Sequence, residues 1–169
     1  MNNIVLIGMP GAGKSTIGVL AAKTLGLDFI DTDILIQQKE GRLLQDIIKQ
    51  AGIQRFLEIE EACICEACFK NAVIATGGSV VYSNKAMRAL KQEGIIIYLK
   101  ISYEEMIRRI RNITTRGIVL KKGQSLKDLY LERIPLYEQY ADITVNSDGK
   151  NVEQILDIII KTLKSKELF

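Results

Sequence analysis

The sequence predicts an α/β fold, in which a five-stranded parallel sheet is covered by helices on both faces. Three observations support this prediction. Short runs rich in β-branched residues alternate with longer segments whose apolar residues recur at helical spacing. No internal repeat or low-complexity tract interrupts the alternation. A glycine-rich turn separates the first apolar run from the first helical segment, as is usual in sheets of this kind.

The elements follow one another in a regular order. Strands are predicted at 4–7, 28–33, 72–76, 95–99 and 142–145. Helices are predicted at 14–25, 34–39, 42–50, 53–70, 83–93, 102–111, 125–140 and 152–164. Strands that alternate with helices form parallel sheets buried on both faces. The segment 112–123 has no apolar periodicity and is predicted to be a loop.

Length, charge and cysteine content limit the classes of protein to which this chain can belong. The chain has 169 residues, which fits one domain spanning 1–169. Its net charge of +3 is too small to indicate nucleic acid but suits an anionic ligand. No apolar run reaches the roughly 18 residues of a membrane span. Three cysteines, Cys63, Cys65 and Cys68, indicate a reducing compartment and are interpreted as packing residues. We therefore expect a monomeric cytoplasmic protein with a small-molecule substrate.

The chain contains no histidine. This excludes histidine-based triads, histidine metal ligands and histidine general bases. Any chemistry must use carboxylates, lysine, arginine, hydroxyls and backbone amides. A flat pH profile between roughly 6.5 and 8.5 is expected, because the usual near-neutral titrating group is missing.

Residues 8–15 read Gly-Met-Pro-Gly-Ala-Gly-Lys-Ser, between a predicted strand and a predicted helix. Glycines permit a tight turn whose N–H groups surround phosphate oxygens, and the helix N-terminus adds its positive dipole end. In such a P-loop, Lys14 reaches the β- and γ-phosphates and the Ser15 hydroxyl binds Mg²⁺. The residues predicted to bind ATP are Gly11, Ala12, Gly13, Lys14, Ser15 and Thr16.

Two aspartates, Asp31 and Asp33, close the second predicted strand. Ligands of open α/β sheets bind beyond the carboxyl ends of the strands, so both carboxylates are expected near the transferred phosphate. Alternate residues of a strand point the same way, which predicts that Asp31 and Asp33 share a face. One would hold Mg²⁺, and the other would orient an acceptor hydroxyl or take its proton. The alternative is a solvated turn with Asp33 as a helix N-cap.

Three further features fit a small anionic acceptor, and each also has a purely structural explanation. Gly77 and Gly78 follow the third strand and let a ligand approach the backbone, although an ordinary turn uses glycines too. Arg116 lies in the predicted loop, where a cation could close over ATP or simply be solvated. Arg133, on a predicted helix, suits a carboxylate ligand or a salt bridge to a helix neighbour.

Together these motifs resemble those of shikimate kinases over nearly the whole chain. That family consists of small P-loop kinases of the nucleoside-monophosphate-kinase-like fold, which transfer the γ-phosphate of ATP to the 3-hydroxyl of shikimate. The resemblance rests on the P-loop, Phe29-Ile30-Asp31-Thr32-Asp33, Phe56 with Ile59-Glu60-Glu61, Gly77-Gly78, Arg116 and Arg133-x-Pro135-Leu136-Tyr137. It implies a substrate-binding helical region at about 34–70 and a lid at about 112–124.

The resemblance also implies a role for each matching residue. Ser15 and Asp31 would hold Mg²⁺. Lys14, Asp33 and Arg116 would be catalytic, with Asp33 as the candidate base and Arg116 closing over the phosphates. The residues implied for substrate binding are Asp33, Gly77, Gly78 and Arg133.

The chain departs from the family pattern on the acceptor side. Leu57 stands where the family has an arginine that shares the shikimate carboxylate, and Ser79 replaces the family's third glycine. Arg55 is a poor geometric replacement, because two helical positions differ by about 200°. Three functions stay open at this point: a shikimate kinase, a kinase of another hydroxylated metabolite, and a non-catalytic nucleotide-dependent binding module. The short single lid argues against a nucleotide kinase.

Overall fold

A computed structural model describes residues 3–110 and 118–168. The predicted lid residue Arg116 therefore lies outside the described residues. Five parallel strands form one sheet in the order β2-β3-β1-β4-β5. The strands are β1 (Asn3–Ile7), β2 (Asp28–Asp31), β3 (Ala72–Ala75), β4 (Gly94–Lys100) and β5 (Ile143–Asn146). The predicted parallel α/β fold is confirmed.

Helices connect the strands in the described residues. They are α1 (Lys14–Leu25), α2 (Thr32–Glu40), α3 (Leu44–Glu66), α4 (Asn84–Glu93), α5 (Tyr103–Ile110), α6 (Leu126–Tyr140) and α7 (Val152–Ser165), with a 3-10 helix at Val80–Tyr82. The predicted helices 42–50 and 53–70 join into α3, which ends at Glu66 rather than residue 70. Gly52 interrupts α3 with a non-helical φ of 81°. No helix within the described ranges is long and apolar enough to cross a membrane.

The central strand explains why the sheet needs cover on both faces. Every residue of β1 is buried, and so are the inner residues of β4. Side chains of a strand alternate between the two faces, so both faces must be shielded from water. Helices α1 and α7 contact each other, and α3, α4 and α6 contact the 3-10 helix or one another. The main hydrophobic core lies between these helices and the sheet.

The second strand is shorter than predicted, and this changes the position of Asp33. Strand β2 ends at Asp31, and Asp33 lies in the first turn of α2. The Asp31 carboxylate caps that helix by accepting the Asp33 N–H at 3.0 Å. The prediction that Asp31 and Asp33 share one face of an extended strand is therefore wrong. It is Asp31, not Asp33, that acts as the N-cap.

A second, smaller hydrophobic cluster lies within the predicted helical region 34–70. It joins Ile36 of α2 to the buried face of α3, including Phe56 and Cys63, and Val119 packs into it. The cluster fixes α2 and α3 beside the carboxyl ends of the strands. Cys63 is thus a packing residue, whereas Cys68 is exposed.

Candidate active site

The P-loop connects β1 to α1 through a left-handed backbone. Gly8, Gly11 and Gly13 have φ values of 147°, 81° and 91°, which side-chain-bearing residues rarely adopt. Lys14 is buried, and its Nζ donates to the carbonyl oxygens of Gly8 at 2.8 Å and Met9 at 2.9 Å. The ammonium group is therefore held over the loop, where phosphate oxygens would meet the N-terminus of α1.

Ser15 and Asp31 meet beside the P-loop. The Ser15 hydroxyl, in the first turn of α1, donates to Oδ2 of Asp31, the last residue of β2, at 2.6 Å. A hydroxyl and a carboxylate next to bound phosphates are the hard oxygen donors that Mg²⁺ prefers. The pair fits such an ion. Their role as ligands stays a prediction.

The predicted acceptor residues surround one small cavity of about 30 Å³. Its lining comprises Pro10, Asp33, Leu44, Phe56, Gly77, Gly78, Ser79, Ile118, Val119 and Arg133. All four predicted substrate-binding residues are among them. A cavity of this size holds about one water molecule, so a larger ligand requires movement of the surrounding side chains. Ile118 and Val119, which line this cavity, belong to the predicted lid at about 112–124.

Close packing after β3 leaves no room for a side chain at Gly77 or Gly78. A Cβ atom at Gly77 would lie 2.6 Å from Glu60 Oε1 and 2.8 Å from Asp33 Oδ1. A Cβ atom at Gly78 would lie 2.8 Å from Arg133 Nη1 and 3.2 Å from Pro10 Cδ. Two carboxylates and a guanidinium thus approach the same stretch of backbone. The structure brings these groups together in a way that an ordinary turn does not require.

Arg133 is fully buried on α6, with 1% of its surface exposed. Its Nε donates to the Tyr82 hydroxyl at 3.2 Å, and its Nη2 donates to the Val119 carbonyl at 3.2 Å. No ion pair found within the described residues involves Arg133. The structure therefore does not support the alternative in which Arg133 forms a salt bridge with a helix neighbour. A buried cation of this kind suits an anionic ligand.

Glu60 is a site residue that sequence analysis did not assign. Its side chain is 2% exposed, and Oε2 accepts a hydrogen bond from the Ser79 hydroxyl at 2.8 Å. Oε1 has no hydrogen-bond partner among the described residues and lies against Gly77. Burial, together with the nearby Asp33 charge, raises the pKa of Glu60 to about 7. Only its helical spacing from Phe56 could have indicated that Glu60 faces inward.

The pKa of Glu60 bears on the flat pH profile expected from the absence of histidine, which stays a prediction for turnover. Absence of histidine does not remove near-neutral titration when a buried carboxyl has a pKa of about 7. A raised pKa means that the folded state binds this proton more tightly than the unfolded state. Glu60 therefore stabilises the fold below the ordinary carboxyl pKa and loses that contribution as pH rises toward 7.

We expect the Glu60→Gln variant to remove this pH dependence. Relative to the unmodified chain, its free energy of unfolding should rise by about 3 kcal/mol between pH 4.5 and 7.5. Urea unfolding measured across this range tests the expectation. Glu58→Gln is the matched control, because Glu58 lies on the surface of the same helix in a pair with Arg55. Parallel curves for the unmodified chain and Glu60→Gln would contradict the account.

Arg109 is a second residue without a sequence-based assignment. Its Nη1 donates to the Gly11 carbonyl at 3.2 Å, and its Nε donates to Glu105 at 2.6 Å. Helix α5 thus holds a cation against the P-loop. Nothing in the sequence distinguishes Arg109 from Arg108, which lies on the exposed side of the same helix. Only the folded structure shows that Arg109, and not Arg108, contacts the P-loop.

Leu57 and Ser79 lie beside Glu60, and Ser79 also lines the cavity that contains Asp33. Both line a cavity of about 220 Å³ that also contains Tyr82 and Glu60. Arg55 does not line this cavity and pairs with Glu58 at 2.9 Å. Ser79 uses its hydroxyl to hold Glu60. Of the two departures from the family pattern, Ser79 lines the cavity that contains Asp33 and Arg133, whereas Leu57 lines the neighbouring cavity.

Comparison with known proteins places this geometry in a family. The shikimate kinase family model matches residues 10–164. A shikimate kinase of Thermodesulfovibrio yellowstonii is 38% identical over 164 residues, which cover 95% of this chain and 94% of that protein. A shikimate kinase of Persephonella marina is 34% identical, with 97% of this chain and 100% of that protein covered.

Solved structures agree with the sequence relatives. The shikimate kinase of Acinetobacter baumannii in complex with shikimate has a TM-score of 0.91 and 31% identity, covering 100% of this chain and 96% of that one. The shikimate kinase of Aquifex aeolicus has a TM-score of 0.80 and 30% identity, with 98% of each chain covered. With its P-loop, its buried Arg133 and a match over nearly its full length, the chain belongs to the shikimate kinase family and is an ATP-dependent kinase.

Proposed function

We propose that this chain transfers the γ-phosphate of ATP to the 3-hydroxyl of shikimate. The observation that carries the proposal is the single cavity lined by Asp33, Gly77, Gly78 and Arg133. It contains a carboxylate for a hydroxyl, backbone that a ligand can approach, and a buried guanidinium for a carboxylate. Shikimate carries both hydroxyls and a carboxylate. Lys14, beside the cavity on the P-loop, marks the donor side.

The residues have separate tasks in this proposal. Lys14 neutralises charge on the transferred phosphoryl group, and Arg133 binds the shikimate carboxylate. Asp33 orients the attacking hydroxyl and accepts its proton. Gly77 and Gly78 let the shikimate ring approach the backbone. Phosphoryl transfer depends mainly on such positioning and on charge stabilisation.

Arg116 and the metal complete the donor side. Arg116, outside the described residues, closes over the phosphates from the lid. Ser15 and Asp31 are the residues that would hold Mg²⁺, supported by their 2.6 Å contact. When bound, Mg²⁺ neutralises charge on the β- and γ-phosphates. We further propose a monomeric, cytoplasmic enzyme.

A coupled ADP-release assay tests the proposed acceptor. Shikimate should be compared with hydroxy acids, sugar acids and amino alcohols at equal concentration. Shikimate should give the highest kcat/KM, because its ring carries both the hydroxyl that Asp33 would orient and the carboxylate that Arg133 would bind. A higher kcat/KM for another metabolite would support the alternative favoured by Leu57, a kinase of a different acceptor. Turnover with none would indicate a binding module.

Leu57→Arg should strengthen acceptor binding. An arginine at this position would place a second cation on the wall formed by Glu60 and Ser79. A charge-assisted contact contributes about 1.5–3 kcal/mol, so the shikimate KM should fall by roughly 10-fold or more. Steady-state kinetics measure the change.

Leu131→Arg is the matched control for this substitution. Leu131 is 58% exposed on α6, so the same new charge there should leave the shikimate KM unaltered. An unchanged KM in Leu57→Arg, with the ATP KM also unchanged, would show that position 57 does not face the acceptor.

A further inference from the structure

Tyr82 lies next to Arg133 but belongs to none of the motifs considered above. It ends the 3-10 helix Val80–Tyr82, directly after Gly77, Gly78 and Ser79. Its side chain is half-buried and lines the cavity on the Leu57 side. Tyr82 therefore connects Arg133, in the acceptor cavity, with the neighbouring cavity that Leu57 lines.

Two contacts join Tyr82 to Arg133. The Tyr82 hydroxyl accepts a hydrogen bond from Arg133 Nε at 3.2 Å, and the guanidinium carbon lies 5.1 Å from the centre of the Tyr82 ring. The hydrogen bond occupies the inner nitrogen, and the ring contact limits tilting of the guanidinium plane. Both terminal nitrogens then point away from Tyr82. Nη2 reaches Val119, and Nη1 lies against Gly78.

The carboxylate that precedes Arg133 in the sequence, Glu132, has another partner. Interaction with the Tyr82 side chain lowers the pKa of Glu132. Glu132 is neutralised by Lys121, whose Nζ lies 3.0 Å from Glu132 Oε1 and 5.8 Å from the centre of the Tyr82 ring. Glu132 is thus paired with Lys121 instead of Arg133. The positive charge of the buried Arg133 guanidinium therefore remains available to bind an anionic ligand.

We propose that Tyr82 is a positioning residue for Arg133 that sets the preference for a carboxylate-bearing acceptor. Its ring and hydroxyl hold the guanidinium with the terminal nitrogens toward Gly78 and the acceptor cavity. Because Leu57 supplies no second cation, this chain depends on a single well-oriented guanidinium. Tyr137 also interacts with the Arg133 side chain, and Tyr82 adds the hydrogen bond to Nε and the ring contact that hold the guanidinium in this orientation. The inference rests on the proposed function.

The test compares shikimate with its methyl ester, which lacks the negative charge. Tyr82→Phe keeps the ring but removes the hydroxyl, and Tyr82→Leu removes both contacts. The ratio of kcat/KM for shikimate to kcat/KM for the ester should fall about fivefold in Tyr82→Phe and about 30-fold in Tyr82→Leu. The change should appear in the shikimate KM, while kcat and the ATP KM stay within about twofold.

Tyr140→Phe is the matched control, because the Tyr140 hydroxyl bonds to Asn84 away from Arg133. An equal loss with shikimate and the ester, or an unchanged ratio in both Tyr82 variants, would overturn the proposed role. Thermal unfolding of each variant identifies a loss of fold, and an isothermal titration with shikimate then measures binding by the folded fraction. If the unmodified chain does not phosphorylate shikimate, the proposed function itself fails and the Tyr82 role falls with it.

Discussion

The Asp33→Asn variant should lose about 10²- to 10⁴-fold in kcat. Asparagine keeps the size of the side chain and its capacity to accept a hydrogen bond, but it cannot take the proton of the acceptor hydroxyl. Asp33 Oδ1 lies against Gly77 on the wall of the acceptor cavity, so the loss should fall on phosphoryl transfer. The ATP KM should change little, because Lys14 and the P-loop are intact. Rapid-quench measurement of a single turnover separates this step from product release.

Asp28→Asn is the matched control for Asp33→Asn. Asp28 is exposed at the amino end of β2, the edge of the sheet opposite the P-loop. The control should keep full activity. A kcat for Asp33→Asn within about tenfold of the unmodified chain would mean that Asp33 only orients the hydroxyl. Removal of the Asp33 charge should also lower the pKa of Glu60, since that charge helps to raise it.

The Lys14→Met variant should lose about 10²- to 10³-fold in kcat with any acceptor. Methionine is of similar length but carries no charge to stabilise the transferred phosphoryl group. The substitution also leaves the Gly8 and Met9 carbonyls without the hydrogen bonds that Lys14 donates. Some loss of thermal stability is therefore expected alongside the loss of turnover. Steady-state kinetics with saturating ATP isolate the effect on kcat.

Lys23→Met is the control for Lys14→Met. Lys23 is exposed in the last turn of the same helix, far along α1 from the P-loop. It should behave as the unmodified chain in both assays. If Lys14→Met kept full kcat while raising only the ATP KM, Lys14 would contribute to ATP binding alone.

Sequence patterns predict the architecture and the position of the P-loop. The P-loop could be located because its glycines, lysine and hydroxyl must follow in a fixed order between a strand and a helix. The alternation of strands and helices predicted the parallel sheet, and helix boundaries were mostly accurate to a few residues. These features depend on local chemistry, which a sequence records directly.

The acceptor half depends on contacts between distant residues, which local patterns do not record. The environment of Glu60 needs Ser79 and Asp33 beside it, and its raised pKa follows from burial. Asp33 was placed on the strand because the capping of α2 by Asp31 was not recognised. Tyr82 was missed because its importance comes only from Arg133, far along the chain.

The identity of the phosphorylated product tests the central claim most directly. The chain should be incubated with MgATP and shikimate, and the mixture followed by ³¹P NMR. The account predicts loss of the γ-phosphate signal and growth of one phosphate monoester signal coupled to the ring proton at carbon 3. Release of free phosphate alone, or an ATP spectrum that shikimate leaves unchanged, would contradict it.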